Sequence, residues 1–177
     1  MDRDLAFDPL AGLTEADRTA VRSLSQAVYP PAEAADWPGR FIEWANPEWC
    51  VRVWGPDGAL ASFVGVLLRH ATYNEQPVYI GGVGGVMTHP AARRRGYAKI
   101  GIHKACEFFC EQPNVGFALL VCEPRLVHYY GSMGWQEFTG KLWVRQHGAM
   151  AEFTFNRIMT LGVSQEAPIA GVIDLCG

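Results

Sequence analysis

Val86-Met87-Thr88-His89-Pro90-Ala91-Ala92-Arg93-Arg94-Arg95-Gly96-Tyr97-Ala98 joins a glycine-rich apolar run to an amphipathic segment. The run before it, residues 78–88, reads as a strand. It carries Gly81, Gly82, Gly84 and Gly85, and glycines inside a strand mark a bulge or a ligand's close approach to backbone. After it, residues 96–109 place Ala98, Ile102, Ala105 and Phe109 on one helical face. Residues 115–122, apolar throughout, then predict a strand buried on both faces. Strand, helix and buried strand make a crossover unit. The first turn of such a helix offers amides with no intrahelical acceptor at the positive end of its dipole, and Gly96 admits an anion to that backbone. Arg93, Arg94 and Arg95 add charge suited to a diphosphate. A solvated arginine cluster beside a loop glycine is the competing account, and spacing alone leaves both open.

Outward from this unit, Thr14 with Asp17 three residues later has the form of a capping box, opening a helix over 15–28 that Pro30 and Pro31 end. A short strand near 5–7 precedes it. A second short helix is expected from Pro38 to Asn46-Pro47. Residues 50–54 and 59–69 form a strand pair about Gly55-Pro56-Asp57-Gly58. Downstream, a short helix over 125–133, a strand after Gly134 and a hairpin over 142–161 around Gln146-His147-Gly148 complete the order. The stretch from Ser164 reads as loop before a short apolar end at 169–176. The predicted class is mixed α/β, a largely antiparallel sheet interrupted by one parallel crossover.

A length of 177 residues fits a single domain, 1–177, with a self-sufficient core, and 49% hydrophobic against 19% charged residues excludes a disordered or fibrous chain. A net charge of −3 offers no footprint for general nucleic-acid binding. Five cysteines without paired spacing point to reduced thiols and a cytoplasmic setting. Cys106 and Cys110 with His103 lack a second ligand pair, so no metal is expected. No apolar run reaches membrane-spanning length, so no membrane partner is expected.

The opening segment resembles the acyl-CoA-binding motif of the GNAT superfamily of N-acetyltransferases, Arg/Gln-x-x-Gly-x-Gly/Ala, as Arg93-x-x-Gly96-x-Ala98. The family's apolar-x-apolar-x-Pro lead-in is matched as Val86-x-Thr88-x-Pro90, with Thr88 where Val or Ile is usual. Tyr130-Gly131-Ser132-Met133-Gly134-Trp135 is similar to the family's Tyr-x-x-x-Gly-Phe signature. With the element order, the resemblance covers residues 14–161. Leu126-Val127-His128-Tyr129-Tyr130 is loosely similar to relatives of the aminoglycoside N-acetyltransferases. The resemblance implies a GNAT-like sheet splayed at the crossover from fourth strand to fifth, and acetyl-CoA as acyl donor. It implies donor contacts from Val86, Met87 and Thr88 to the pantetheine arm and from Arg93, Arg94, Arg95, Gly96, Tyr97 and Ala98 to the pyrophosphate. A homodimer is left open, dimers being common in the family.

Acetyl transfer to an amine needs a neutral amine, a polarised carbonyl and a proton for the leaving thiolate. The resemblance implies Tyr130 as that general acid, with Tyr129 in reserve, and the backbone near Val86 as the polarising donor. Many relatives place a base on the fourth strand, where residues 80–86 of this chain offer only Gly, Val and Ile. Glu75, Glu123 and His70 remain candidates, directly or through water. Glu123 also replaces the family's Asn seven residues before the signature Tyr. Cys122 reads as a core thiol, because the family transfers without a covalent enzyme. For a cationic amine acceptor, Tyr29, Trp37 and Glu33, with Asp36 and Glu43, offer an aromatic and acidic wall. Phe41 and Trp44 fit the buried face of the second helix. A non-catalytic acyl-CoA-binding module and a protein or peptide N-acetyltransferase are the alternatives.

Overall fold

The computed structural model describes residues 4–30 and 37–175. The chain folds as two compact units. One comprises Met1–Phe41, Ala45–Leu67 and Val83–Ala105; the other comprises Ile42–Trp44, Leu68–Gly82 and Cys106–Gly177. The fold is mixed α/β, a mostly antiparallel sheet with three α-helices, as the sequence predicts.

In the first unit, β1 (Leu5–Pro9) pairs antiparallel with β2 (Trp49–Trp54), which pairs with the first half of β3 (Leu60–Tyr73). The β2–β3 register runs from Trp49 opposite Val66 to Trp54 opposite Leu60, with a bulge after Val53. Helix α1 (Glu15–Val28) opens on a complete capping box: Thr14 Oγ1 accepts from the Asp17 N–H and the Asp17 carboxylate accepts from the Thr14 N–H. Leu24 carries α1 into a core of Leu13, Cys50, Leu60, Phe63 and Met87. Arg52, buried on β2, crosslinks β1 and α1 through Asp8 and Asp17.

In the second unit the strand order is β6 (Gln136–Phe138), β9 (Arg157–Gly162), β5 (Val115–Cys122), β4 (Gln76–Thr88), β3, β10 (Val172–Asp174), β7 (Lys141–Gln146) and β8 (Ala149–Glu152). Strand β5 matches its sequence bounds and is buried along nearly its whole length. Its partner β9 pairs on both edges, with Leu120 opposite Met159 on β5 and Phe138 opposite Ile158 on β6. A core of Ala71, Ile80, Phe117, Leu119, Phe138, Leu142, Ile158 and Ile173 lies against these strands. The chain between β4 and β5 forms α2 (Tyr97–Glu111), whose Ile102, Ala105 and Phe109 are fully buried. The α3 helix (Val127–Gly131) is a single turn preceded by a 3₁₀ turn at Pro124–Leu126, shorter than the expected 125–133.

Three expectations are corrected. Residues 38–46 form no α-helix, only a 3₁₀ turn at Pro38–Phe41. The N–H and C=O that Glu43 would commit to a helix are bound instead by the Gln146 side chain. Phe41 and Trp44 therefore have no helical face to bury and are 65% and 40% exposed. The expected hairpin over 142–161 is two structures. β7 and β8 pair about His147 and Gly148, both at positive φ, whereas β9 departs to pair with β5 and β6. Lastly, β10 runs parallel to β7, with Ile173 opposite Leu142, so the crossover is not the sole source of parallel pairing.

Candidate acyl-donor loop and catalytic residues

The glycines of β4 divide by cause. A Cβ on Gly81 would lie 2.5 Å from the Phe109 ring, so this glycine admits a helix side chain, not a ligand. Gly85 sits at φ +58°, a conformation costly for other residues, and disturbs the strand beside Val86. One residue further, the Met87 side chain faces the core while its carbonyl accepts from Ser62 Oγ at 2.8 Å; Thr88 Oγ1 lies 3.2 Å from the same hydroxyl. Val86 and Thr88 are only half-buried.

Past β4, a 3₁₀ turn at Pro90–Ala92 is capped by His89, whose Nδ1 accepts from the Ala91 N–H at 3.3 Å. The next residues alternate. Arg94 lies at φ +63° and Gly96 at φ +80°, with Arg93 and Arg95 at negative φ. Two left-handed residues within three positions bend the backbone sharply, a kind of turn whose N–H groups can line an anion-binding concavity. It opens directly onto α2, whose first intrahelical bond is Ile100 N–H to Gly96 O at 3.1 Å, so the amides before Ile100 belong to the open first turn. Arg93, Arg94, Arg95 and Gly96 are exposed, and none of the arginines forms an ion pair among the described residues. No carboxylate occurs from Val86 to Ala98. Tyr97 is buried and Ala98 half-buried, so these two offer backbone rather than side chain. The donor set, backbone amides and guanidinium groups with no competing anion, fits the diphosphate of acetyl-CoA.

Tyr130 is buried on α3 with Tyr129 beside it, the rings 5.2 Å apart and edge to face. Burial raises the Tyr129 hydroxyl above its ordinary pKa. Glu75 occupies the second position of the β3–β4 turn at φ +65°, after Asn74 at φ +48°, exposed and without a hydrogen bond among the described residues. Glu123 accepts from Arg125 Nε at 2.5 Å, and that bond lowers its pKa. His70 packs against Tyr79 with ring centroids 4.7 Å apart and planes tilted by 39°, and the two line a depression of about 350 Å³ with Pro77, Val78, Asn114, Ser164 and Gln165; Tyr130, Glu75 and Glu123 are not in its lining. Burial pushes the Cys122 thiol up to about 11, which keeps it protonated at neutral pH. Among the described residues no group of three or more His, Cys, Asp or Glu is placed to hold a metal ion.

Of the acceptor-site residues, Tyr29 and Trp37 come together. Their rings stack at 6.2 Å and 27°, both close to half exposed, and the Trp37 indole lies over Gly39, where a Cβ would fall 2.2 Å from it. Glu33 and Asp36 lie outside the described residues. Glu43 accepts a hydrogen bond from the His147 N–H. Sequence reasoning missed the Trp44 cluster with Phe153 and Phe155, each ring pair edge-on at 6.2 Å; a bare Phe-x-Phe was its only trace.

Residues 11–138 match the model of the acetyltransferase (GNAT) domain, and the chain belongs to that family. It is accordingly an N-acetyltransferase, and acetyl-CoA is its acyl donor. Three solved structures share the fold. Escherichia coli ElaA is 15% identical, with TM-score 0.62 over 90% of this chain and 99% of its own. The GNAT family N-acetyltransferase YhbS of E. coli, solved with CoA, is 12% identical, with TM-score 0.62 over 98% and 89%. The ribosomal-protein-S18-alanine N-acetyltransferase of E. coli is 13% identical, with TM-score 0.56 over 92% and 96%. No curated protein sequence matches the chain. No helix among the described residues is long and apolar enough to cross a membrane.

Proposed function

We propose that this acetyltransferase moves the acetyl group of acetyl-CoA directly to a primary amine of a small cationic molecule in a ternary complex, with Tyr130 as general acid. Both units belong to one acetyltransferase domain over 1–177. Acetyl-CoA supplies a thioester whose carbonyl carbon accepts the amine. The amides of residues 94–98 and the guanidinium groups of Arg93, Arg94 and Arg95 hold its diphosphate, and Val86 and Thr88 pair with the pantetheine arm through backbone. Met87 contributes by spacing those two. Tyr130 gives its proton to the departing sulfur. The base is a solvent relay, because Glu75 sits alone on a turn and Glu123 is committed to Arg125. Tyr29, Trp37 and Glu33 receive the acceptor's cationic end.

The observation that carries the acceptor class is the exposed Tyr29–Trp37 stack, a π-face of the kind that holds alkylammonium groups. Thiol release from acetyl-CoA should be measured with polyamines, aminoglycosides and amino-terminal peptides, on wild type, Tyr130→Phe and Trp37→Ala. Turnover on a small amine, a kcat loss of about ten-fold or more in Tyr130→Phe at unchanged acetyl-CoA KM, and a raised amine KM in Trp37→Ala are expected. Turnover on peptides alone overturns the small-amine reading, and full kcat in Tyr130→Phe removes the general acid. Acetyl-CoA binding without turnover on any acceptor would make the chain a binding module.

A further inference from the structure

Tyr130 is held by a partner from beyond its own helix. Gly134, at φ +91°, reverses the chain just past α3 and lays Trp135 back against it. The Trp135 N–H donates to the Tyr130 carbonyl at 3.3 Å, and the two rings meet edge to face with centroids 6.3 Å and planes 73° apart. Both residues are buried, Tyr130 5% and Trp135 3% exposed. A buried indole N–H usually finds an acceptor. That of Trp135 has none, and among the described residues only it and Arg52 Nε are buried side-chain polar atoms left without a partner. Phenylalanine, the residue of the signature this segment resembles, fills such a site without stranding a donor. A buried orphan donor invites a functional explanation.

We infer that Trp135 is a positioning residue for Tyr130. Its indole fixes the phenol's ring plane, and its uncommitted N–H favours the charge that Tyr130 bears once its proton has gone. The inference rests on the reading of Tyr130 as general acid. In that step the phenol O–H bond breaks and the sulfur leaving the thioester takes the proton. The proton that the acceptor nitrogen loses on becoming an amide restores the phenol. In a buried setting an N–H dipole acts on charge in its surroundings far more strongly than in water, so an uncommitted donor on a ring packed edge to face with Tyr130 responds to the phenolate.

Trp135→Phe keeps an aromatic ring and removes the N–H. With acetyl-CoA and whichever acceptor of the panel turns over fastest, kcat should fall about ten-fold, less than for loss of a direct oxyanion donor, at unchanged KM for both substrates. The melting temperature should fall modestly, because phenylalanine leaves part of the buried indole's volume empty. In the Tyr130→Phe background the same substitution should change kcat no further, because Trp135 acts through the phenol. Replacing Trp135 by benzothienylalanine, which keeps the bicyclic shape and exchanges N–H for sulfur, should lower kcat as Trp135→Phe does. Full kcat in both Trp135 variants, with Tyr130→Phe still impaired, overturns the inference and leaves the role of Tyr130 standing. An undiminished loss in the Tyr130→Phe background also overturns it. Full activity of Tyr130→Phe itself, or no turnover on any acceptor, overturns the reading beneath.

Discussion

The side-chain amide of Gln146 brackets the backbone of Glu43. Glu43 N–H donates to Gln146 Oε1 at 2.9 Å, and Gln146 Nε2 donates to the Glu43 carbonyl at 3.0 Å. The Glu43 carboxylate returns the contact by accepting from the His147 backbone N–H. Two residues of the β7–β8 turn thus hold a segment that has no regular structure of its own. Gln146→Ala should cost about 1 kcal/mol, since each bond is exposed and worth little net. The local effect should be larger than the global one: hydrogen exchange at the Glu43 amide should quicken while the core of β5 stays protected. Unchanged exchange at Glu43 would mean that Trp44, packed on Phe153 and Phe155, holds the segment without the amide.

In the proposed diphosphate loop, backbone and side chain can be tested apart. Arg94 occupies φ +63°, where glycine is at no disadvantage. If the bent backbone is the binding element, Arg94→Gly should keep calorimetric acetyl-CoA affinity within about ten-fold of wild type, losing only one charge's contribution. Gly96→Glu, which sets a bulky anion at φ +80° in the same concavity, should abolish it. A loss in Arg94→Gly as complete as in Gly96→Glu would shift the weight to the guanidinium.

How far the sequence revealed this arrangement depends on where each element's hydrogen bonds go. The capping box of Thr14 and Asp17 and the apolar run of β5 are local signals, and both elements formed where expected. The helix over 38–46 failed because its competitor, Gln146, lies about a hundred residues away, where no periodicity can show it. The departure of β9 was hidden for a similar reason. Ile158, Met159 and Thr160 are all buried between two partner strands, so the segment shows no alternation, and no Gly or Pro separates it from β8. The Arg93–Gly96 loop stands out in the sequence as a candidate donor loop because its arginines and glycine are adjacent. An acceptor site is assembled from residues distant in sequence, and of the expected wall the described residues bring together Tyr29 and Trp37.

Gly81 offers a direct test of the packing account of the β4 glycines. Gly81→Ala drives a methyl to 2.5 Å from the Phe109 ring and should cost about 1–3 kcal/mol, the range for overpacking a filled core. Phe109→Leu alone should also destabilise, by leaving a void. Together the two should cost less than their sum, because the smaller side chain makes room for the methyl. Additive losses in denaturant unfolding would mean that the glycine serves the strand and not the helix.

Arg52 supplies a pH test. Its guanidinium is 6% exposed and bonded to Asp8, at 2.6 Å, and to Asp17. The Asp17 carboxyl is held below its ordinary range, first by the Thr14 hydroxyl and amide of the capping box and then by Arg52. A carboxyl with a depressed folded-state pKa contributes stability that is fully present above the unfolded value, 3.8, and lost as pH falls through the folded one. Wild type should therefore lose stability below about pH 4, and Asp17→Asn should lose less over that window while starting lower at pH 7. Arg52→Ala should cost about 3 kcal/mol at pH 7, the low end for breaking a buried pair, because both carboxylates keep some solvent. Its acid limb should also flatten, though less than that of Asp17→Asn, since the Thr14 bonds remain. A limb as steep in Asp17→Asn as in wild type would assign the acid sensitivity to another carboxylate.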